Sequence, residues 1–373
     1  MKKEIINEQL TLYLEGEINS SNASCVEKDI NSALEGETFS TLTFDFLGIS
    51  YVSSSGLRIV LRFKQKFPSL KIINVKDDVY NVFEMTGFTK IMEIKKDIKE
   101  VSVDNAEIIG SGYFSTVYRV SDDMIIKVFN KTSDDMQIER ELKLAKEAFV
   151  LGIPTAISYD VVKVKDKVGL RFEMLNCMTL RDAFLKNKDR YTEYLDKYAS
   201  LLKKINTTVC DDDAIPDMKK NAFKKLDDIK AYFDKDTFDK LYSFLETIED
   251  SNTFVHGDCH FKNIMVQNDE FLLIDMDTLS KGSYLFELAS LYCAYIAYEE
   301  DEEGNCLKFF GLDSSFCNQL FNDIIDEYIG SDEILLNKIK SIAYFHMLWW
   351  NITNEKENVE RFENCKKRLL ALL

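Results

Sequence analysis

The sequence predicts an α/β domain followed by an α+β domain whose last part is mainly helical. A chain of 373 residues is too long for a single ordinary core. Residues 1–94 alternate short strand-like and helix-like runs, which is typical of an α/β layer fold. From Ala106 the pattern changes to strand, glycine-rich turn, strand and helix, and after Asn176 it is mostly helical. The predicted divisions are an N-terminal domain 1–94, a linker 95–105, a mixed region 106–176 and a helical region 177–373 that contains a distinct segment at 254–285.

Composition and charge exclude several classes of partner. The net charge is −17, which argues against nucleic acid or an anionic membrane as a partner, because phosphate groups need clustered Lys and Arg. The eight cysteines are scattered and contain no Cys-x-x-Cys pair, so we expect neither a zinc site nor disulfides. The N-terminus lacks an apolar signal core, and the longest apolar run, Phe286–Tyr298, is too short to cross a bilayer. We therefore expect a cytoplasmic protein.

The elements of the N-terminal domain follow from its apolar periodicity. Val60, Phe63 and Phe67 recur at i, i+3 and i+7, which predicts an amphipathic helix. The expected strands are Leu10–Leu14, Leu42–Phe46 and Leu70–Val75, and the expected helices are Ala23–Leu34, Gly56–Phe67 and Val79–Met85.

Three serines, Ser53 to Ser55, precede the second of these helices. Serine is a favoured helix N-cap, and a helix N-terminus also accepts a phosphate dianion. The pattern alone leaves two roles open for Ser55, a structural cap or a phosphorylation site.

A glycine-rich turn between two strand-like runs begins the second domain. Gly110, Ser111, Gly112 and Ser115 lie in this turn, where backbone N–H groups can approach phosphates without side-chain interference. Ser115 replaces the third glycine of a Gly-x-Gly-x-x-Gly motif, so a plain hairpin is the alternative interpretation.

The next strand, Met124–Phe129, is apolar except for Lys127, whose ammonium should meet a carboxylate or a phosphate. A helix predicted at Asp135–Val150 offers Glu139 and Glu141 as partners. We choose Glu141, because its spacing puts it on the buried side of that helix.

A further strand, Gly169–Phe172, leads into Glu173 and Leu175. The backbone of these two residues can hydrogen-bond an adenine ring as a hinge.

The segment with the most chemical information is His256-Gly257-Asp258-Cys259-His260-Phe261-Lys262-Asn263. A short apolar run and Asp275 follow it. Asp258 can take the proton of an attacking hydroxyl, and Asn263 and Asp275 can hold the magnesium that neutralises phosphate charge.

With these motifs in order, residues from about 106 to 373 resemble the aminoglycoside phosphotransferase and choline kinase superfamily, which has a bilobal protein-kinase-like fold. The resemblance implies ATP and Mg²⁺ as cofactors, with Lys127 on the phosphates, Glu141 orienting it and Asp258 as catalytic base. It also implies Asn263 and Asp275 as magnesium ligands.

The resemblance extends to residues around these ligands. It gives His256 and His260 supporting roles in the loop, and Ile274-Asp275-Met276-Asp277 replaces the Asp-Phe-Gly of protein kinases. Glu287 stands where many relatives have an aspartate.

Residues 1–94 are similar to STAS domains of anti-sigma factor antagonists. The likeness implies that Ser55, the serine before Gly56, is the phosphorylated one, although Ser53 replaces the usual aspartate. A protein partner for this domain is therefore expected.

Our first functional hypothesis is a phosphotransferase acting on a hydroxyl of an amino-alcohol, an aminoglycoside-like compound or a sugar. The alternatives are a protein kinase or partner-switch protein acting on a STAS serine, and a non-catalytic nucleotide-binding module. We expect the acidic run Glu299–Glu303 to be a solvated loop. Five aromatic residues are candidates either for a cation pocket or for helix packing, namely Tyr295, Tyr298, Phe345, Trp349 and Trp350.

Overall fold

The computed structural model describes residues 1–112, 115–130, 135–212, 215–354 and 359–373. The chain divides into two compact units, Met1–Ser102 and Val103–Leu373. The first is an α/β domain and the second is a mixed sheet followed by a helical region, so the predicted fold class is confirmed.

The first unit is built on one sheet. Its first two strands form an antiparallel hairpin, and the remaining strands continue in parallel, as expected when helices form the crossovers. The strand Ile94–Lys96 belongs to this sheet, so the segment predicted as linker, 95–105, begins inside it. In spatial order the strands are Lys2–Ile6, Gln9–Ile18, Thr41–Val52, Lys71–Val75 and Ile94–Lys96. The helices are Ala23–Leu34, Ser54–Lys66 and Asp77–Met85, with a 3₁₀ turn at Phe88–Lys90.

Packing of this unit explains the glycine that follows the serines. Phe44 and Phe46 in the central strand are fully buried, and the Phe44 ring contacts Phe63 edge-on. A Cβ atom added at Gly56 would lie 3.0 Å from the carbonyl oxygen of Ile18 and 2.9 Å from its side chain. The first turn of helix Ser54–Lys66 therefore approaches the sheet too closely for any larger residue.

The second unit begins with an antiparallel sheet, on which the helix Asp135–Val150 packs. The strand Met124–Phe129, named the lysine strand below, is a central strand of this sheet. The lysine strand was predicted from its run of apolar residues, which only Lys127 interrupts. In spatial order the strands are Ser158–Val164, Lys167–Glu173, Met124–Phe129, Ser115–Arg119 and Glu107–Ser111.

The helical region carries two small sheets that hold the 254–285 segment. Ile264–Gln267 and Glu270–Leu273 form a hairpin beside Met178–Thr179, and Phe254–Val255 pairs with Ser280–Lys281. A single large apolar core extends through this region. The longer helices are Leu180–Lys186, Tyr191–Thr207, Met218–Asp228, Lys235–Glu246, Tyr284–Tyr292, Ser314–Ile329, Glu333–Asn354 and Val359–Leu370, and shorter helical turns include Cys293–Ala297, Tyr298–Asp301 and Asn305–Phe310.

The expectation of a solvated loop at Glu299–Glu303 is wrong for the first part of the run, although Glu302 and Glu303 are exposed. The run begins in the helical turn Tyr298–Asp301, and only 1% of the Asp301 side chain is exposed. Asp301 forms ion pairs with Arg361, at 3.3 Å, and with Arg368. The two arginines neutralise the charge of Asp301. Because they are distant in the sequence, local spacing does not reveal these ion pairs.

Within the described ranges, no helix combines the length and the apolar character that crossing a lipid bilayer requires.

Candidate active site

The glycine-rich turn is a hairpin whose tip lies partly outside the described residues, since positions 113 and 114 are not covered. Gly110 and Ser111 end one strand and Ser115 begins the next. The N–H of Gly112 donates to the Ser115 carbonyl at 2.9 Å, and Asn130 Nδ2 donates to the Gly112 carbonyl at 3.1 Å. Among the described residues, the nearest atom to a Cβ placed at Gly112 would be the Ser115 carbonyl oxygen at 3.8 Å, so their packing does not require glycine there.

Lys127 lies between two carboxylates. Its ammonium donates to Glu141 Oε1 at 2.9 Å and to Asp275 Oδ1 at 2.6 Å. The side chains of Lys127 and Glu141 are only 12% and 5% exposed. Burial alone would lower the pKa of Lys127, but the two carboxylates raise it above its ordinary value. The ammonium therefore stays charged and joins the helix Asp135–Val150 to the segment after the hairpin.

Asp258 and Asn263 face each other across the turn that separates them. Asn263 Nδ2 donates to the Asp258 carbonyl at 2.9 Å and to its carboxylate Oδ2 at 3.0 Å. The backbone of Asn263 bonds to that of His260 at 2.8 Å and of Ile274 at 3.0 Å, which anchors the turn to the hairpin. Burial and then the nearby Asp275 charge raise the pKa of Asp258 to about 7, although 45% of its side chain remains exposed.

Asp275 begins the 3₁₀ turn Met276–Thr278 with a φ of +65°, in the left-handed region. Aspartate tolerates this conformation better than most residues do. Burial raises the pKa of Asp277 to about 7, and the Asp275 charge adds to the effect. Asp258, Asp275 and Asp277 thus form an acidic group in which the charge of Asp275 disfavours ionisation of the other two carboxyls.

Glu287 anchors the backbone of the 254–285 segment through hydrogen bonds. It is fully buried and accepts the N–H of His256 at 2.5 Å and of Gly257 at 3.2 Å. Burial raises the pKa of Glu287 to about 7, against the opposing effect of these N–H groups. Gly257 has a φ of +81°, and a Cβ there would lie 3.3 Å from the Thr278 carbonyl oxygen, which explains a glycine at this position.

The two histidines of the segment are neutral supports. His256 Nε2 donates to the Ile274 carbonyl at 3.3 Å, and its Nδ1 accepts the N–H of Asp258 at 3.3 Å. His260 Nε2 lies 3.6 Å from Asp258 Oδ1, and its ring packs edge-on against Phe310. Burial lowers the pKa of both imidazoles to about 4. Among the described residues, His260 Nδ1 has no hydrogen-bond partner.

Two tyrosines support the same segment from the core, and sequence reasoning missed the role of both. Tyr198 donates its hydroxyl proton to the Cys259 carbonyl at 2.5 Å, and Tyr295 accepts the N–H of Phe261 at 2.9 Å. The two hydroxyl oxygens are 3.0 Å apart. These contacts join residues 61 and 34 positions apart in the sequence, so local spacing does not indicate them.

Glu173 and Leu175 lie where the strand Lys167–Glu173 leaves the sheet. The N–H of Glu173 donates to the Ile157 carbonyl at 2.9 Å, and the N–H of Ile157 donates to the Glu173 carboxylate at 2.7 Å. The N–H of Met174 donates to the Asp123 carbonyl at 2.9 Å. These bonds keep the connection to the helical region extended.

A cavity of about 910 Å³ opens beside Asp258. Of the five aromatic candidates, Tyr295 is fully buried in the core, whereas Tyr298, Phe345 and Trp350 line this cavity. Its wall also contains two residues that sequence reasoning missed, Lys225 and His346.

A metal at the acidic group would need ligands besides protein. The described part of the chain contains no group of three or more His, Cys, Asp or Glu residues placed to hold a metal ion. Asn263 uses its amide nitrogen toward Asp258, which leaves its amide oxygen available. Amide and carboxylate oxygens are the donors that Mg²⁺ prefers, and Mg²⁺ usually keeps water and phosphate ligands as well. The residues present therefore fit Mg²⁺.

The chain matches two family models. A family model described as "Phosphotransferase enzyme family" matches residues 105–310, more than half of the chain, and a model of the STAS domain matches residues 1–101. An anti-sigma-B factor antagonist of Listeria monocytogenes serovar 1/2a is 27% identical over 110 residues, which cover 28% of this chain and 94% of that protein.

Among solved structures, the ADP-bound aminoglycoside phosphotransferase APH(2'')-Ib is 14% identical, with a TM-score of 0.49 over 78% of this chain and 97% of that chain. The gentamicin complex of APH(2'')-IIa is 13% identical, with a TM-score of 0.47 over 80% and 96%. TM-scores below 0.5 carry little weight, so family membership depends on the sequence match.

We predict that Glu287→Gln is less stable than the wild-type protein at pH 5 and that this deficit shrinks as the pH rises to 8. A carboxyl whose pKa is raised on folding stabilises the fold fully below its unfolded pKa, near 4.5, and this contribution is lost as the pH passes about 7. Urea unfolding at several pH values measures the difference. Glu270→Gln, at an exposed position, is the control and should follow the wild type. A deficit that grows with pH would show that the N–H groups, not burial, decide the charge of Glu287.

Proposed function

We propose that this chain, which belongs to the phosphotransferase enzyme family, transfers the γ-phosphate of ATP to a hydroxyl group of a small molecule with the help of Mg²⁺. The observation that carries the proposal is the convergence of Lys127, Glu141, Asn263 and Asp275 beside Asp258. Four separate segments supply these residues. Together the residues provide a cation for the phosphates, oxygen ligands for a metal ion and a general base.

The nucleotide would lie between the glycine-rich hairpin and the lysine strand. Lys127 would pair with the α- and β-phosphates, while Glu141 keeps it oriented. The hairpin residues Gly110, Ser111, Gly112 and Ser115 would lie over the phosphates, and the space that the described residues leave around Gly112 supports this. The backbone of Glu173 and Leu175 would hydrogen-bond the adenine.

Asn263 and Asp275 would hold Mg²⁺, with Asp277 as a further acidic neighbour. The bound metal would neutralise the charge that develops on the phosphates. Burial, and then the charge of Asp275, raise the pKa of Asp258 and Asp277, and the positive charge of the metal would offset the second of these effects.

Asp258 would act on the acceptor. The acceptor oxygen attacks the γ-phosphorus, the bond between this phosphorus and the β,γ-bridging oxygen breaks, and ADP leaves. The hydroxyl proton passes to the Asp258 carboxylate, which Asn263 Nδ2 orients through its bond to Oδ2. The cavity beside Asp258 is large enough for a small acceptor and supports this choice over a protein substrate.

For the N-terminal domain we propose a regulatory role through a protein partner, with Ser55 as its phosphorylation site. Ser53, not Ser55, caps the helix Ser54–Lys66 by accepting the N–H of Gly56 at 3.4 Å. The Ser55 hydroxyl forms no hydrogen bond with any described residue. Ser55 therefore does not cap the helix. It lies in the first helical turn, where the helix dipole and free N–H groups favour a phosphate.

We predict that Asp275→Asn abolishes the part of the ATP-induced stabilisation that depends on magnesium, because the metal loses its charged ligand. In the wild type, ATP at 100 times its Kd should stabilise the fold by about 2.7 kcal/mol. Thermal unfolding with ATP, with and without Mg²⁺, measures this. Asp239→Asn, an exposed substitution with the same change of charge, should respond as the wild type. Full magnesium dependence in Asp275→Asn would contradict the assignment.

We predict that Asp258→Asn lowers turnover by roughly 10²- to 10⁴-fold and leaves ATP affinity unchanged, since it removes the base but keeps the shape. ADP release in the presence of an acceptor measures turnover, and ATP titration measures affinity. Wild-type turnover in Asp258→Asn would rule out this residue as the base. ATP binding without turnover in the wild type, for any acceptor or protein, would favour the non-catalytic alternative.

We predict phosphate on Ser55 after incubation of the whole protein with ATP and Mg²⁺, and its absence in Asp258→Asn. Mass spectrometry of proteolytic peptides measures the modification, with Ser55→Ala as the assignment control. If Ser55 stays unmodified both in the active protein and in cells, the phosphorylation proposal is wrong.

A further inference from the structure

The wall of the cavity beside Asp258 contains a lysine that has no carboxylate partner among the described residues. Lys225, on the helix Met218–Asp228, lines the cavity, and its Nζ lies 3.1 Å from His346 Nδ1. The centroid of the Trp349 ring lies 4.3 Å from the same nitrogen. No carboxylate of the described residues comes within ion-pair distance of Lys225.

Neither neighbour neutralises this ammonium. An ammonium has no lone pair, so Lys225 donates to His346 Nδ1, and the imidazole proton is then on Nε2. Burial lowers the pKa of His346 to about 3, so the ring is neutral. The Trp349 ring attracts the cation but carries no charge. Burial lowers the pKa of Lys225 to about 8, which reflects the missing anion.

Two other cationic side chains of the cavity wall are already paired with acidic side chains, which are therefore not available to Lys225. Lys308 is paired with Glu302 at 3.3 Å, and Arg361 with Asp301 at 3.3 Å. Arg140 lines the opening and forms no ion pair with the residues that the structure describes. These pairs consume the acidic side chains at this end of the cavity.

The remaining carboxylates of the cavity wall belong to the group of residues that would bind the phosphates and the metal. Glu141 pairs with Lys127, and Asp258 accepts from Asn263. Asp277 adjoins Asp275 in the acidic group. The cavity is therefore acidic where the phosphoryl group would be transferred and cationic at Lys225.

We propose that the acceptor carries, besides the hydroxyl that is phosphorylated, an anionic group that pairs with Lys225. This rests on the proposed function, because it assumes that the cavity beside Asp258 holds the acceptor. A carboxylate or a phosphate ester supplies the charge that the half-buried ammonium lacks, and His346 keeps the ammonium directed through its hydrogen bond. The amino group of an amino-alcohol or an aminoglycoside would instead be repelled by Lys225.

A series of three-carbon compounds that share two adjacent hydroxyls and differ in the charge of the third group tests this. The probes are glycerol, D-glycerate, glycerol 3-phosphate and 3-aminopropane-1,2-diol, each at constant ionic strength. Intrinsic tryptophan fluorescence reports on this cavity directly. The chain has two tryptophans, of which Trp349 stacks near Lys225 and Trp350 lines the wall. The measurement needs no turnover.

We expect a saturable fluorescence change with glycerate or glycerol 3-phosphate, at concentrations at which the neutral and cationic members give none. The relative strength of the two anions separates a carboxylate acceptor from a phosphorylated one. In Lys225→Met the anion Kd should rise roughly ten- to a hundred-fold. Lys224→Met, which removes an exposed lysine beside it, should bind as the wild type. Lys225→Gln is the second variant if the methionine variant does not fold.

The proposal is wrong if no anionic probe gives a saturable change, if the amine binds as tightly, or if Lys225→Met binds the anions as the wild type does. The stabilisation of the fold by ATP and Mg²⁺ is measured on the same samples. It shows whether the proposed function fails as well, or only the proposal about the acceptor. An intact nucleotide response without anion binding would overturn only the acceptor class.

Discussion

The site depends on compensation of one buried positive charge. Lys127 lies in a central strand with little access to solvent, and an isolated ammonium there would be strongly unfavourable. Its two carboxylate partners, Glu141 and Asp275, are 14 and 148 positions away in the sequence. The charge is therefore satisfied only when the helix and the segment after the hairpin are both packed against the sheet. This requirement couples formation of the phosphate site to correct folding of the whole second unit.

The cavity next to that ion-pair network separates two kinds of charge. Asp258, Asp275 and Asp277 concentrate negative charge where a metal and a transferred phosphate would meet. Lys225 adds a positive charge to the cavity wall, against the neutral ring of His346. An acceptor with an anionic group would thus be attracted to Lys225 and repelled by the acidic group, which would favour one orientation in the cavity.

Local patterns predicted much of this arrangement, and long-range contacts account for what they missed. Helical spacing was enough to prefer Glu141 as the residue facing Lys127, and the structure has the two 2.9 Å apart. Lys225 and His346 are 121 positions apart and have no shared spacing, so only the folded chain reveals their contact. Asp301 was expected in a solvated loop because its neighbours are acidic, whereas its partners lie in a distant helix.

The central claim is that phosphate passes from ATP to a small molecule, and the fate of a labelled γ-phosphate tests it most directly. The protein is incubated with γ-³²P-labelled ATP, Mg²⁺ and a low-molecular-weight cell extract, and the products are separated by size and identified by mass spectrometry. Our account predicts an acid-stable phosphate ester in the small-molecule fraction, with an anionic group already present on the acceptor. Label found only on protein, or only as inorganic phosphate, would contradict it.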